Sequence, residues 1–61
     1  MKHQYKIGEV VEVIGRECGH EFEIGQQVIV TILDEDGEVW ECMSLDGSES
    51  WIMDEDELRP I

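Results

Sequence analysis

The sequence contains one internal repetition that strongly limits the folds open to it. The pattern aromatic-x-Ile-Gly-x-x-Val-x-Val occurs at residues 5–13 and again at residues 22–30, an offset of 17 residues. In each copy we expect the Ile to anchor a turn and the Gly to tolerate positive φ, while the two valines project from one face of a following strand. One repetition of this length is too little for a solenoid. It predicts two similar strand starts, built from core positions, in one small sheet.

An acidic turn follows the second copy and sets the register of the next strand pair. Asp at the first and Gly at the fourth position of residues 34–37 are typical of a type I turn with a glycine bulge in a three-residue hairpin loop. The resulting register places Val30 opposite Cys42. It also places Ile32 opposite Trp40, so that both pairs are predicted to lie on one apolar face.

A second turn extends this hairpin into a meander of three strands. The dipeptide Asp46-Gly47 is a strong signal for a two-residue hairpin turn. It places Trp51 opposite Cys42, and it places Met53 opposite Trp40. The predicted inward face consists of Val11, Val13, Val28, Val30, Ile32, Trp40, Cys42, Trp51 and Met53. The residues predicted to point mostly outward are Ile29, Thr31, Val39, Glu41 and Ile52.

The end of the chain predicts a turn and one more strand. Four consecutive acids at residues 54–57 suit the first turn of a helix, but the segment is too short for an independent α-helix. We therefore expect a single 3₁₀-like turn that ends before Pro60, with Leu58 closing the core, and then a very short strand. A chain of 61 residues supports one domain, covering residues 1–61. Short strands bent at glycines reduce their exposed edges by curling into a small barrel.

The order of these features resembles an SH3-like barrel over nearly the whole chain. The resemblance rests on the strand start at residues 6–13, the long loop at 14–23, the meander, and the ending Asp-Glu-Leu-Arg-Pro-Ile. More narrowly, the combination of Gly-His-x-Phe-x-Ile-Gly at residues 19–25 with the Asp-Glu-Leu-x-Pro-Ile tail is similar to small SH3-like proteins of the YorP type. Phages and prophages encode these proteins, whose function is largely unassigned. The resemblance implies an all-β barrel of about five short antiparallel strands with a 3₁₀ turn before the last strand. It also implies a phage-encoded protein of the host-cell cytoplasm.

The chain departs from the better-known relatives of this barrel. It lacks the aromatic stretch, the adjacent Trp pair and the late proline of SH3 domains that bind peptides, so we do not expect recognition of proline-rich ligands. Ribosomal relatives bind RNA through basic loops, and the corresponding loops here are acidic. The resemblance therefore implies a fold more than a function.

Charge excludes several classes of partner. The chain has 16 Asp and Glu against 4 Lys and Arg, a formal net charge of −12. Such a surface repels nucleic acids and anionic lipids, so we expect no direct nucleic-acid or membrane binding. The sequence shows no secretory leader and no apolar run long enough to span a bilayer, which favours the cytoplasm. The two cysteines are then expected to stay thiols.

The sequence favours neither a cofactor nor catalysis. His3, Cys18, His20 and Cys42 are of the types that bind zinc, but the spacing Cys-Gly-His is tighter than usual and no second ligand pair follows. The acids at residues 34–38 lack the length and the flanking helices of a calcium-binding EF-hand. Ser48 and Ser50 lie near a turn, without a nucleophile elbow or a neighbouring histidine. We therefore expect a noncatalytic protein without a cofactor or a metal.

Two acidic clusters are the remaining candidates for a functional surface. Their residues are Asp34, Glu35, Asp36, Glu38 and Glu41 in the first cluster and Asp54, Glu55, Asp56 and Glu57 in the second. Neighbouring outward positions along one strand lie about 6.6 Å apart, a repeat that would present such carboxylates in rows. These rows would attract a basic surface of a host protein, in the limit by occupying its nucleic-acid site as a mimic. The bland interpretation is a charged face that only keeps a small protein dissolved.

Two alternatives stay open. The protein could be a passive structural or assembly module that uses exposed apolar residues such as Ile29, Val39 and Ile52, as a monomer or weak dimer. It could also hold a cationic side chain in an aromatic cage, as Tudor-like relatives of the barrel do. The cage requires Trp40 or Trp51 to be exposed, which the predicted register does not allow.

Overall fold

The computed structural model describes residues 3–17 and 19–61, which form one antiparallel sheet of five strands. The strands are β1 (Val10–Val13), β2 (Gln27–Leu33), β3 (Val39–Ser44), β4 (Ser50–Ile52) and β5 (Leu58–Pro60). A 3₁₀ turn, Glu55–Glu57, precedes β5. The strand order is β4-β3-β2-β1-β5, so β4 and β5 are the two edges of an open sheet. These features confirm the predicted all-β fold of about five short antiparallel strands with a 3₁₀ turn before the last strand.

The two copies of the repeated pattern form matching turns that join β1 to β2. The amide of Gly8 donates to the carbonyl of Val30, and the amide of Gly25 donates to that of Val13, each at 2.7 Å. Both glycines have positive φ, at 92° and 91°, which an L side chain rarely adopts. Since residue 13 of one copy corresponds to residue 30 of the other, the two bonds are related by a local two-fold axis.

The same symmetry extends to the side chains that close each turn. Lys6 N–H donates to Glu9 Oε1, and Glu23 N–H donates to Gln26 Oε1, both at 3.0 Å. The reverse bonds run from the Glu9 amide to the Lys6 carbonyl and from the Gln26 amide to the Glu23 carbonyl. Glutamate and glutamine serve equally because each offers the same acceptor oxygen. The repetition is therefore structural, as predicted.

The turn isoleucines do not anchor these turns in the core. Ile7 and Ile24 are 65% and 58% exposed, so this part of the prediction is wrong. The aromatic residue two positions earlier supplies the anchor instead, since Tyr5 and Phe22 are buried. The buried apolar core comprises Tyr5, Val11, Val13, Phe22, Val28, Val30, Val39, Cys42, Met53 and Leu58.

The hairpin of β2 and β3 follows the predicted register only in part. Val30 faces Cys42 as predicted, but two compensating irregularities follow towards the turn. Thr31 is the extra residue on β2, and Trp40 is the extra residue on β3. Such bulges exchange the faces of the residues beyond them. Ile32 therefore pairs with Glu41, and the predicted pairing of Ile32 with Trp40 is wrong.

Because of these bulges, the predicted inward face is wrong at three positions. Ile32 and Trp40, expected inside, are 43% and 50% exposed, whereas Val39, expected outside, is buried. Leu33 packs against the core in place of Ile32.

The second hairpin keeps its predicted register with a different turn. Trp51 faces Cys42, and the Met53 amide donates to the Trp40 carbonyl at 2.9 Å. The Ser44 amide donates to the Glu49 carbonyl, so the loop has four residues instead of the predicted two. A two-residue type I′ turn would need positive φ at residue 46, and among the described residues only glycines have it.

Hydrogen bonds to one carboxylate hold this loop. Asp46 Oδ1 accepts from the Ser44 hydroxyl, the Ser48 amide and the Ser48 hydroxyl at 2.7–2.9 Å. These bonds lower the pKa of Asp46 from 3.8 to about 2, because they stabilise the charged carboxylate.

Candidate functional site

The nine predicted acidic residues divide into three groups by exposure. Glu57 is buried, at 3% exposure, so its carboxylate does not belong to the surface predicted for it. Three are half-buried, namely Asp34, Glu41 and Glu55. Five are exposed, namely Glu35, Asp36, Glu38, Asp54 and Asp56. All but Glu41 lie in the 34–38 loop or the 54–57 turn, so the strands do not arrange them in the predicted rows.

The two acidic clusters meet in a shallow groove of about 240 Å³, which we call the acidic groove. One wall comes from the loop between β2 and β3, and the other from the segment before the 3₁₀ turn. Its described lining residues are Asp34, Glu38, Val39, Trp40, Ile52, Met53, Asp54 and Glu55. No Lys or Arg appears among them. The groove therefore combines four carboxylates with an apolar floor.

A hydrogen bond joins the two segments of the chain that carry these clusters. The amide of Val39, at the start of β3, donates to Glu55 Oε2 at 2.9 Å. Glu55 thus fixes the 3₁₀ turn against the first hairpin, and it brings segments about 16 residues apart to one place. This contact explains why acids that are separate in sequence share one groove.

Two of the groove carboxylates also build their own loops. Asp34 Oδ1 accepts from the amides of Asp36 and Glu38, both at 2.9 Å. Asp54 is the N-cap of the 3₁₀ turn, with its side chain accepting from the Asp56 amide at 3.0 Å. Because asparagine can accept the same bonds, an Asp to Asn change removes charge with little effect on either loop.

Glu57 has a structural position beneath the surface. Its Oε2 lies 3.5 Å from His20 Nε2, and both side chains are almost fully buried. The His20 ring joins two parts of the long loop, since Nδ1 accepts from the Phe22 amide at 3.1 Å and Nε2 lies 2.6 Å from the Gly15 carbonyl oxygen. The proton is therefore on Nε2, which donates to Gly15. These contacts hold the long loop next to the 3₁₀ turn.

Trp40 is the functional candidate that the sequence reasoning placed on the wrong face. The bulge in β3 turns it out of the core, and its side chain is 50% exposed in the acidic groove. Trp51, by contrast, is half-buried and packs against the core. No local sequence signal marks either bulge. The sequence gives one hint of a different register between β2 and β3. Leu33 and Val39 are apolar, and each is adjacent in sequence to a predicted core position.

The apolar residues proposed for assembly have different surroundings. Val39 is buried and therefore unavailable, which corrects that part of the alternative. Ile29 is half-buried and Ile52 is 49% exposed. Val10 and Ile32 add further apolar surface at 38% and 43% exposure.

The residues considered for metals and catalysis are dispersed. His3 bonds to Glu9 at 2.6 Å, His20 is engaged as described above, and Ser48 bonds to Asp46. Burial raises the pKa of the Cys42 thiol to about 12, with a smaller contribution from Glu41, so this thiol stays protonated. Within residues 3–17 and 19–61 no group of three or more His, Cys, Asp or Glu side chains is arranged to hold a metal ion. Cys18 lies outside the described residues. In the same part of the chain, no helix has the length and apolar character needed to cross a membrane.

Comparison of the chain with protein-family models, with curated proteins and with solved structures finds no match.

Proposed function

We propose that the protein is a noncatalytic binding module that docks its acidic groove on a basic surface of another protein. The observation that carries this proposal is the meeting of both acidic clusters around exposed Trp40 and Ile52. Four carboxylates around one groove favour a positively charged partner, and exposed apolar side chains supply area to bury against it. The net charge of −12 adds long-range attraction to any such surface.

The proposal predicts a binding that depends on salt and on position. The groove variant carries Asp34→Asn, Glu38→Gln and Asp54→Asn, which keep the hydrogen-bond acceptors of both loops. The control variant removes the same amount of charge from exposed acids that do not line the groove: Glu21→Gln, Glu23→Gln and Glu49→Gln. Equal net charge separates an effect of the groove from an effect of overall charge.

The experiment is an affinity pull-down from a bacterial lysate with all three immobilised proteins, eluted by a salt gradient and followed by mass spectrometry. We expect a basic protein that the wild type and the control variant retain and the groove variant loses. Elution should occur well below 1 M salt, where the Debye length is about 3 Å. Retention by all three proteins alike, or elution unaffected by salt, would contradict the proposal.

A passive assembly module is the second candidate, and the exposed Ile52 and Ile32 on the sheet favour it. In that case affinity would survive high salt and fall when these two residues are replaced by Ser. Nucleic-acid mimicry is a narrower form of the first proposal. It gains no support from the placement of the acids in loops, and competition between the captured protein's nucleic acid and this chain would test it. Phage origin and a host-cytoplasm location stay predictions from the resemblance.

A further inference from the structure

We infer that the acidic groove receives one arginine side chain of the partner, stacked on the indole of Trp40. This inference rests on the proposed function and specifies which residue of a basic surface the groove selects. The groove presents two kinds of surface side by side. Its floor includes the exposed faces of Trp40 and Ile52, and its rim carries the exposed carboxylates of Glu38 and Asp54.

An occupant that satisfies both surfaces needs an apolar stem and a cationic end. A volume of about 240 Å³ suits one long side chain better than a folded element. Lysine and arginine both have the stem and the charge. Arginine fits better, because its planar guanidinium stacks on an aromatic face and binds carboxylates through two parallel N–H groups.

The backbone supports this role for Trp40. The extra residue in β3 is Trp40 itself, so the bulge turns outward a side chain that a regular strand would bury. The β3 strand is fixed on both sides of it, by the Val39 amide bonded to Glu55 and by the Trp40 carbonyl bonded to the Met53 amide. Because the backbone that carries this half-exposed indole is already fixed, it loses little conformational freedom when a ligand stacks on the ring.

The test is an NMR titration with three acetylated and amidated pentapeptides, Gly-Ser-X-Ser-Gly, in which X is arginine, citrulline or lysine. Citrulline has the shape of arginine without its charge. The chain has two tryptophans, so the two indole N–H signals report on the groove and on an internal control at Trp51. We expect the Trp40 signal to shift with the arginine peptide, less with lysine and not with citrulline, while the Trp51 signal stays in place.

Variants complete the test. Trp40→Leu should weaken binding of the arginine peptide about two- to fivefold. Trp51→Phe and the Glu21, Glu23 and Glu49 control variant should leave it unchanged, and the Asp34, Glu38 and Asp54 groove variant should abolish it. Equal shifts with arginine and citrulline, or equal shifts at both indoles, would overturn the inference. If pull-down by the groove stays dependent on salt while Trp40→Leu has no effect, the inference fails and the proposed function stands.

Discussion

The matching turns at Gly8 and Gly25 give the sharpest stability prediction. Both glycines have φ near +90°, and a Cβ added at either would meet no atom within 4 Å. An alanine there would therefore suffer backbone strain alone, about 1–2 kcal/mol, offset by about 0.4–1 kcal/mol of lost freedom in the unfolded chain. The expected loss of unfolding free energy is about 1 kcal/mol for each substitution, and the symmetry predicts equal values.

This loss of unfolding free energy is large for a domain of this size. A core in so short a chain rarely supplies more than about 3–5 kcal/mol, so the double variant should lose about half of its stability. Gly15→Ala is the matched control, because Gly15 lacks positive φ and its added Cβ would lie 3.5 Å from Glu57 Cγ, an ordinary contact. The assay is urea unfolding followed by tryptophan fluorescence. Midpoints of Gly8→Ala and Gly25→Ala equal to wild type, or lower stability in Gly15→Ala than in either, would refute the reasoning.

Three further predictions concern buried or bonded polar groups. His20→Phe keeps a ring in place but leaves the Phe22 amide and the Gly15 carbonyl without their partner, so unfolding free energy should fall by about 1–3 kcal/mol in urea titrations; unchanged stability would contradict a stabilising role for these two bonds. The low pKa of Asp46 contributes stability that is complete above pH 3.8 and is lost as pH falls through about 2. Carbon-detected NMR of its carboxyl should show a midpoint near 2, and a midpoint near 3.8 would refute the bonding. In Cys18→Ser the remaining thiol, Cys42, should resist iodoacetamide in the native protein and react once it unfolds, because its raised pKa and burial leave no accessible thiolate; fast native labelling would contradict its burial.

The parts of the fold that local chemistry controls could be predicted from the sequence. The repeated Gly-x-x-Val-x-Val pattern gave the starts of β1 and β2, and the register between Val30 and Cys42 followed from the Asp-x-x-Gly turn. The acids at residues 54–57 gave the 3₁₀ turn because their capping role depends on neighbours in sequence.

The acidic groove could not be predicted in the same way. Two compensating bulges expose Trp40. They depend on whether Val39 or Trp40 packs better in the core. Glu55 reaches Val39 across the fold, and Glu57 is buried beside His20, through contacts that no spacing rule describes. Contacts between residues distant in sequence therefore determine where the acidic groove lies and which of its residues are exposed.

The electrostatic surroundings of Trp40 test the central claim most directly. In a Trp51→Phe variant, Trp40 is the one remaining tryptophan. Its fluorescence can be quenched with neutral acrylamide, cationic caesium and anionic iodide at equal ionic strength. Exposure in a groove lined by four carboxylates predicts red-shifted emission, with efficient quenching by acrylamide and caesium and weak quenching by iodide. The Asp34, Glu38 and Asp54 groove variant should restore quenching by iodide. Blue-shifted emission protected from all three quenchers, or equal quenching by caesium and iodide, would contradict the account.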